Sequence, residues 1–152
     1  MRTNRKNREF EIVTSWEDKN INLPKRKTAC SAGYDIESAV DIDIPPKRTK
    51  VVATGLKVKL NSNEFLYIFI RSSMAIKHGI ILVNGTGVID ADYYNNEENE
   101  GHILCALYNM GDKVFHVKKG DRIAQGIFMN YGKVKNDKTN DKRTGGIGST
   151  GK

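Results

Sequence analysis

The sequence has few of the residues that mark membrane, secreted or metal-scaffold proteins. It contains only two cysteines, Cys30 and Cys105, and their separation provides no paired metal-ligand spacing, which predicts neither a disulfide scaffold nor a zinc site. Nowhere does an apolar run approach the roughly 18 residues that a membrane-spanning helix needs. With 152 residues, 38% of them hydrophobic, the chain is predicted to form one globular domain with a substantial core.

The charge is unbalanced, with a formal net charge of +7 at pH 7. Residues 1–8 carry four basic and no acidic side chains, residues 133–152 carry six basic and two acidic ones, and the stretch between is close to neutral. Because the surplus is confined to the two ends, no nucleic-acid partner is expected. No apolar stretch follows the basic start, so neither a signal peptide nor a membrane partner is expected, and the predicted location is the cytoplasm.

The body of the chain is patterned as short strands separated by turns. Between residues 51 and 60, Leu56, Val58 and Leu60 alternate with lysines, which is typical of a half-buried strand. Gly, Pro, Asn and Asp clusters separate the runs. This pattern predicts an all-β barrel or sandwich. The other apolar runs of strand length cover residues 65–70, 80–83, 102–108 and 123–129.

One short helix and a C-terminal arm complete the predicted organisation. The helical pattern covers residues 72–78, where Ser72 or Ser73 is expected to cap the first turn. Beyond residue 131 the apolar pattern stops, and glycines, hydroxyls and charges replace it. The predicted parts are a basic N-terminal tail over residues 1–8, a β-barrel domain over residues 9–131 and a flexible arm over residues 132–152.

Five polar, glycine-bearing segments interrupt the strands where a purely structural protein would need only turns. In the first, A-G-Y-D-I at residues 32–36, an acid stands between apolar residues. The second, R-S-S at residues 71–73, suits an anion because a guanidinium and free backbone N–H groups donate together at a helix start. Alone, each has an ordinary structural explanation: a turn residue for the first, and an N-cap with a surface salt bridge for the second.

The other three segments bear amides, carboxylates and hydroxyls. Residues 84–93, N-G-T-G-V-I-D-A-D-Y, predict a binding hairpin whose backbone approaches a planar ligand, although a plain hairpin explains its Asn-Gly start equally well. Residues 120–125, G-D-R-I-A-Q, place the polar Gln125 on an apolar strand. Residues 143–151, R-T-G-G-I-G-S-T-G, have the composition of a flexible phosphate-binding loop, or of a disordered glycine-serine tail.

The order of these motifs resembles the five-motif signature of the trimeric deoxyuridine triphosphatase (dUTPase) family. The similarity covers residues 29–151 and rests on A-G-Y-D-I, R-S-S, G-V-I-D-x-D-Y, R-I-A-Q and R-x-G-G-x-G-S-T-G. It implies a jelly-roll-like β barrel, the β-clip fold, assembled as a homotrimer with active sites shared between subunits. The implied reaction hydrolyses dUTP to dUMP and pyrophosphate with Mg²⁺, which keeps uracil out of DNA and supplies dUMP for thymidylate synthesis.

The resemblance also implies a role for each motif residue. Asp90 would activate the attacking water as a general base, and Asp35 would reach Mg²⁺ through water. Asn84 would bind uracil, and Tyr93 would pack under the deoxyribose and exclude a 2′-hydroxyl. The further substrate-binding residues that it implies are Arg71, Ser72, Ser73 and Gln125 at the phosphates, Gly87, Val88 and Ile89 around the base, and Arg143, Ile147, Gly148, Ser149 and Thr150 in the closing arm.

The chain departs from the family pattern in two places. Tyr93 is followed by an insert, Y-N-N-E-E-N-E-G at residues 94–101, where the family has only a short connection. Ile147 stands where the arm of the family carries an aromatic ring that stacks on uracil, so a smaller contribution to affinity is expected.

Two other functions stay open on the sequence alone. The related dCTP deaminase needs a glutamate base in the strand after the hairpin, and residues 102–108 contain no acid. A regulatory protein of the same fold would bind a protein partner through the insert at residues 94–101. Ammonia release from dCTP would identify the deaminase.

Overall fold

The structure is a computed structural model that describes residues 7–151, and it consists mainly of short β-strands. A 3-10 helix covers Thr14–Lys19 and another covers Ala91–Tyr93. The predicted all-β architecture with one short helix is confirmed. The regular elements are β1 (Glu9–Ile12), β2 (Lys25–Arg26), β3 (Tyr34–Glu37), β4 (Ile42–Ile44), β5 (Thr49–Ala53), β6 (Leu56–Lys59), β7 (Glu64–Ile70), α1 (Ser72–His78), β8 (Ile80–Leu82), β9 (Gly87–Asp90), β10 (Leu104–Asn109), β11 (Phe115–Val117) and β12 (Arg122–Asn130).

The strands pair antiparallel in four sheets that enclose one apolar core. The largest sheet has the order β2-β3-β12-β7-β9, a second has the order β5-β10-β8, and β1-β6 and β11-β4 form two-stranded sheets. Every sheet contributes to the same cluster, for example through Ile36, Val52, Ile44 and Val58, each at most 1% exposed. This common core makes the four sheets one jelly-roll-like barrel, as expected.

The predicted strand over residues 51–60 is two strands in two sheets. β5 pairs with β10, whereas β6 pairs with β1. Between them Gly55 has φ +70°, a left-handed conformation that interrupts a strand at little cost only when the residue is glycine. The predicted half-buried alternation is also wrong at Lys57, which is 7% exposed because Asn95 and Glu100 of the insert cover it.

Helix α1 begins without the predicted serine cap. The chain leaves β7 in an extended conformation, with ψ 140° at Arg71, so Arg71 is the N-cap residue and Ser72 and Ser73 lie in the first turn. No side chain caps the helix, which leaves both hydroxyls free for another role. Within residues 7–151, no helix is long and apolar enough to cross a bilayer.

The segment predicted as a binding hairpin connects two different sheets instead. β8 pairs with β10, and β9 pairs with β7. The predicted Asn-Gly turn is present, since Gly85 has φ +72° and its N–H donates to the carbonyl of Leu82. Because β9 is the last strand of its sheet, one row of its backbone N–H and C=O groups has no partner strand among the described residues.

Strand β7 keeps two groups of predicted site residues apart. Asp90 pairs with Phe65 at the start of β7, and Arg71 directly follows its end. The register across β12 places Gln125 opposite Asp35 near that same end. At about 3.3 Å per residue, the extended chain from Phe65 to Arg71 spans roughly 20 Å. Asp90 therefore lies at the opposite end of β7 from Arg71, Gln125 and Asp35.

The N-terminal tail predicted over residues 1–8 lies mostly outside the described residues. Arg8 is described, and its Nε lies 2.9 and 2.8 Å from the two carboxylate oxygens of Glu64. The hydrogen bond from Arg8 holds the pKa of Glu64 below its usual range. Since Glu64 is 3% exposed, Arg8 is attached to the barrel at the first residue of β7.

Candidate active site

A cavity of about 490 Å³ opens beside the edge strand β9. Its volume falls within the range of about 300–1,000 Å³ that small-molecule sites occupy. Side chains of Ile68, Leu82 and Leu104 provide apolar walls. The predicted site residues that also line it are Asn84, Gly87, Val88, Ile89, Asp90, Tyr93, Arg143, Ile147, Gly148 and Thr150.

Arg143 attaches the C-terminal arm to the mouth of this cavity. Its Nη2 lies 2.9 Å from Oδ2 of Asp90, and its Nε lies 2.9 Å from Oδ1 of Asp92. Its Nη1 donates to the carbonyl of Gly146 at 3.2 Å and to Oγ of Ser149 at 3.4 Å. The Arg143 side chain is only 11% exposed, whereas those of Asp90 and Asp92 are 52% and 58% exposed. Both carboxylates therefore remain open to solvent.

Tyr93 forms a fixed wall of the cavity. Its hydroxyl donates to the carbonyl of His102 at 2.8 Å and accepts from Nδ2 of Asn99 at 2.8 Å. The guanidinium carbon of Arg143 lies 5.7 Å from the ring centroid, within cation–π range. Burial raises the pKa of Tyr93, so the phenol is neutral. Because the hydroxyl of Tyr93 already has two hydrogen-bond partners, a ligand hydroxyl placed against the face of the ring would find no hydrogen-bond partner there.

The rim between β8 and β9 has groups suited to the edge of a planar base. Asn84 is exposed, and its side-chain amide makes no hydrogen bond to another residue in the described range 7–151. The free backbone row of β9 lies beside it, between Gly87 and Asp90. An amide and a row of backbone groups can together present a fixed order of donors and acceptors.

A second cluster surrounds Asp35 at the other end of the large sheet. Oδ1 of Asp35 lies 3.4 Å from Nε of Arg71, and Oδ2 lies 3.2 Å from Nη1 of Arg122. The side chain of Gln125 packs over Gly33, where a Cβ atom would come within 2.4 Å of the amide oxygen. Gly33 is therefore required for the position of Gln125. This cluster combines two guanidinium groups, an amide and a carboxylate, a set suited to phosphate groups.

A single chain does not unite the predicted site residues. Ser72 and Ser73 follow Arg71 and belong to the Asp35 cluster, while Asp90 belongs to the cavity. Ser149 joins the cavity side through its contact with Arg143. The residues predicted for one site thus form two half-sites in the single chain, one at the cavity beside β9 and one around Asp35.

The half-site around Asp35 fits a magnesium ion that arrives with a ligand. Among the described residues, no group of three His, Cys, Asp or Glu side chains could form a metal cage. Magnesium commonly uses one or two carboxylates and otherwise waters and phosphate oxygens. Asp35, 20% exposed and flanked by Arg71 and Arg122, could supply one such carboxylate beside bound phosphates.

Three residues of the site were not assigned from the sequence. Asp92 pairs with Arg143, Glu98 accepts the N–H of Gly146 at 2.6 Å, and Asn99 holds the hydroxyl of Tyr93. For Glu98 and Asn99 the available signal was the density of amides and acids in the insert, and for Asp92 it was a position two residues after Asp90 in the third motif. Neither signal shows where the insert folds, so neither could identify these contacts.

The chain is similar in sequence to known dUTPases. The dUTPase family model matches residues 19–151. The deoxyuridine 5'-triphosphate nucleotidohydrolase of Lactococcus lactis subsp. lactis is 46% identical over 146 residues, which cover 95% of this chain and 97% of the relative.

Solved structures agree in fold. The crystal structure of the dUTPase from Streptococcus mutans has a TM-score of 0.79 at 43% identity, covering 84% of this chain and 98% of that one. A mutant dUTPase from phage phi11 of S. aureus, which coordinates a structural Mg(II) ion, has a TM-score of 0.71 at 18% identity, covering 88% and 97%. The phage likeness concerns the fold alone. Because the family match spans both half-sites and the bacterial relative aligns over almost the full length, the chain belongs to the dUTPase family.

Proposed function

We propose that this chain is a dUTP diphosphatase, which hydrolyses dUTP to dUMP and pyrophosphate. The observation that carries the proposal is the position of Asp90, a solvent-accessible carboxylate at the mouth of a cavity suited to a base and sugar. Membership of the dUTPase family supports the same substrate.

Asp90 acts as the general base in this proposal. It takes a proton from a water molecule as the water oxygen forms a bond to the α phosphorus. The bond from that phosphorus to the oxygen bridging to the β phosphorus breaks, and pyrophosphate leaves with the electron pair. Arg71, Ser72 and Gln125 hold the phosphates, and the guanidinium of Arg71 offsets the negative charge that develops there.

The cavity selects the nucleoside. Asn84 and the backbone of β9 bind uracil through a donor and acceptor order that cytosine does not match, and the site around the base excludes the methyl group of thymine. Tyr93 excludes ribose, because a 2′-hydroxyl against its ring would lose its hydrogen bonds to water without replacement. Ile147 gives apolar cover to the base, while Gly148, Ser149 and Thr150 close over the phosphates.

A magnesium ion bound with the triphosphate would neutralise part of its negative charge. The residue that would hold the ion on the protein side is Asp35, through water. Arg71 and Arg122 already orient that carboxylate in the chain by itself.

Homotrimer assembly completes the site, because one chain leaves Asp90 roughly 20 Å from Arg71 along β7. The surface beside Asp90 supports the presence of a neighbouring subunit. An open apolar depression of about 310 Å³ lies there between Phe65, Val88 and Tyr131. Val88 is 55% and Tyr131 is 45% exposed in the isolated chain. A second copy covering this face would bury them and bring its own Arg71 half-site towards Asp90.

Deamination of dCTP is not proposed. Strand β10, Leu104–Asn109, follows the cavity segment and contains no carboxylate that could serve as the base. A regulatory partner of the insert and a cytoplasmic location stay predictions.

Pyrophosphate release from dUTP, dTTP, dCTP and UTP, with and without Mg²⁺, tests the proposal. Rapid release from dUTP alone, reduced by chelation of magnesium, is expected. Ammonia release from dCTP, or equal hydrolysis of all four nucleotides, would overturn it.

A further inference from the structure

The insert at residues 94–101 is folded onto the barrel at both of its ends. At its start, the hydroxyl of Tyr94 donates to Glu11 of β1, with 2.7 Å to the nearer carboxylate oxygen. At its end, Glu100 accepts from the backbone N–H of Thr14 at 3.2 Å and from its hydroxyl at 2.8 Å. Both ends of the insert are therefore attached to β1 and to the 3-10 helix that follows it, and the insert forms a fixed bracket over residues 94–101.

A buried lysine fixes both ends of this bracket to β6. Nζ of Lys57 lies 2.8 Å from Oδ1 of Asn95, 2.6 Å from Oε1 of Glu100 and 5.2 Å from the ring centroid of Tyr94. The hydrogen bond from Lys57 lowers the pKa of Glu100. Truncating Glu100 would leave the buried ammonium group of Lys57 without its nearest carboxylate, so this pair holds the insert in one conformation.

The middle of the insert is organised by Asn96, which is 8% exposed. Its Oδ1 accepts the backbone N–H groups of Glu98 and Asn99, both at 3.0 Å. Its Nδ2 donates to the carbonyl of Tyr93 at 2.7 Å. This turn fixes the backbone of Glu98, whose side chain contacts the C-terminal arm.

Glu98 contacts the arm where the arm is most enclosed. Its Oε2 accepts the N–H of Gly146 at 2.6 Å, and the carbonyl of Gly146 accepts from Arg143. A Cβ atom on Gly145 or Gly146 would lie 3.0 or 3.1 Å from the same carboxylate oxygen, so two glycines in succession make this approach possible. Among the described arm residues, 132–151, Gly146 is the one that is buried.

We infer that Glu98 is a positioning residue that docks the closed arm through Gly146 and so sets the place of Arg143 at the active site. The insert, on this inference, serves the reaction as a preformed bracket for the arm. The inference rests on the proposed function, because it assigns the arm a role in dUTP turnover.

The first experiment compares Glu98→Ala with Glu97→Ala. Glu97 is an exposed acid of the same insert, and within residues 7–151 its side chain makes no hydrogen bond or salt bridge, so it is the matched control. A hydrogen bond to a carboxylate is stronger than one between neutral groups. We expect kcat/KM for dUTP to fall about ten-fold in Glu98→Ala. Glu98→Gln retains an acceptor oxygen and should recover most of the loss, while Glu97→Ala should match the unmodified chain.

A double-mutant cycle distinguishes docking of the arm from general damage to the cavity. In a chain truncated before Arg143, Glu98→Ala should no longer change the kinetics for dUTP or the affinity for α,β-imido-dUTP. A loss that persists in the truncated chain would overturn the inference, because Glu98 would then act without the arm.

Limited trypsin digestion tests the contact without any turnover. Cleavage after Lys142 and Arg143, with α,β-imido-dUTP bound, should be several-fold faster in Glu98→Ala than in Glu97→Ala. Equal cleavage rates would contradict docking by Glu98. If the unmodified chain failed to hydrolyse dUTP, the proposed function would fail, whereas digestion without nucleotide would still report whether Glu98 holds the arm.

Discussion

The guanidinium of Arg143 lies against the carboxylate of Asp90, with 2.9 Å between Nη2 and Oδ2. The group proposed to bind phosphate is thus paired with the proposed general base. Since the Asp90 side chain is 52% exposed, solvent screens the pair, and such pairs contribute about 0–1 kcal/mol. A triphosphate can therefore replace Asp90 as the partner of Arg143 at little cost in free energy, which leaves Asp90 free to contact water.

Asp90→Asn should abolish turnover and preserve nucleotide binding. The amide keeps the shape of the side chain but cannot accept the proton, and loss of a general base costs about 10²–10⁴-fold in rate. The checks are steady-state kinetics on dUTP and the affinity for α,β-imido-dUTP. A variant with near-normal kcat would rule out Asp90 as the base.

Chains with Arg71→Ala and chains with Asp90→Asn, each inactive alone, should regain activity when assembled together. The two residues lie at opposite ends of β7, so a shared site takes one from each subunit, and random mixing restores about a quarter of the sites. Activity is measured after co-expression, with native mass spectrometry to demonstrate mixed trimers. No recovery in mixed trimers would mean that each site belongs to one chain.

Selectivity against ribose should depend on Tyr93. UTP is expected to be a poor substrate. Tyr93→Ala should bring kcat/KM for UTP closer to that for dUTP, because the ring that desolvates a 2′-hydroxyl is removed. Glu97→Ala is the control, since Glu97 is exposed and its side chain makes no hydrogen bond or salt bridge within residues 7–151. Equal turnover of UTP and dUTP by the unmodified chain would contradict this role.

Truncation before Arg143 should leave the melting temperature and assembly nearly unchanged and reduce catalysis strongly. The arm buries almost no apolar side chain, and Ile147 is 71% exposed. Ile147→Phe should tighten nucleotide binding by about 0.5–1.5 kcal/mol if a ring stacks on the base. Kinetics and thermal melts on both variants provide the test. Full activity of the truncated chain would show that the arm is only a tail.

Stability should decline in mildly acidic solution because of His102. Burial lowers the pKa of this imidazole, whose Nε2 accepts the N–H of Gly55 at 2.9 Å. The unfolded chain, with an ordinary pKa of about 6.5, then binds the proton more readily than the folded one. The neutral imidazole of His102 therefore contributes fully to the free energy of unfolding above about pH 6.5, and this contribution is lost as the pH falls through and below that value.

Urea unfolding across this pH range measures the effect. His102→Gln should reduce the decline in unfolding free energy, while His116→Gln, at an exposed ring, should retain it. An identical pH dependence in all three proteins would exclude His102 as the cause.

Family membership and the strand-rich architecture could be predicted from the sequence. These features depend on local patterns. Alternating and apolar runs predict strands, Gly120 provides a turn with φ +88°, and residues 72–78 form the one predicted helix. The identity of Asp90, Tyr93 and Arg143 follows from motifs a few residues long, whose order along the chain is specific.

Tertiary structure alone decided which of these residues meet. Gly55 divides one predicted strand between two sheets, and Gly85 lies in a turn that changes sheets, because pairing partners distant in sequence decide where each strand ends. The burial of Lys57 depends on an insert roughly 40 residues away, which no local pattern of β6 records. Likewise, the separation of Asp90 from Arg71 depends on the register along β7. Register is set by the pairing of two strands, and each motif contains the end of only one strand, so the motifs do not determine it.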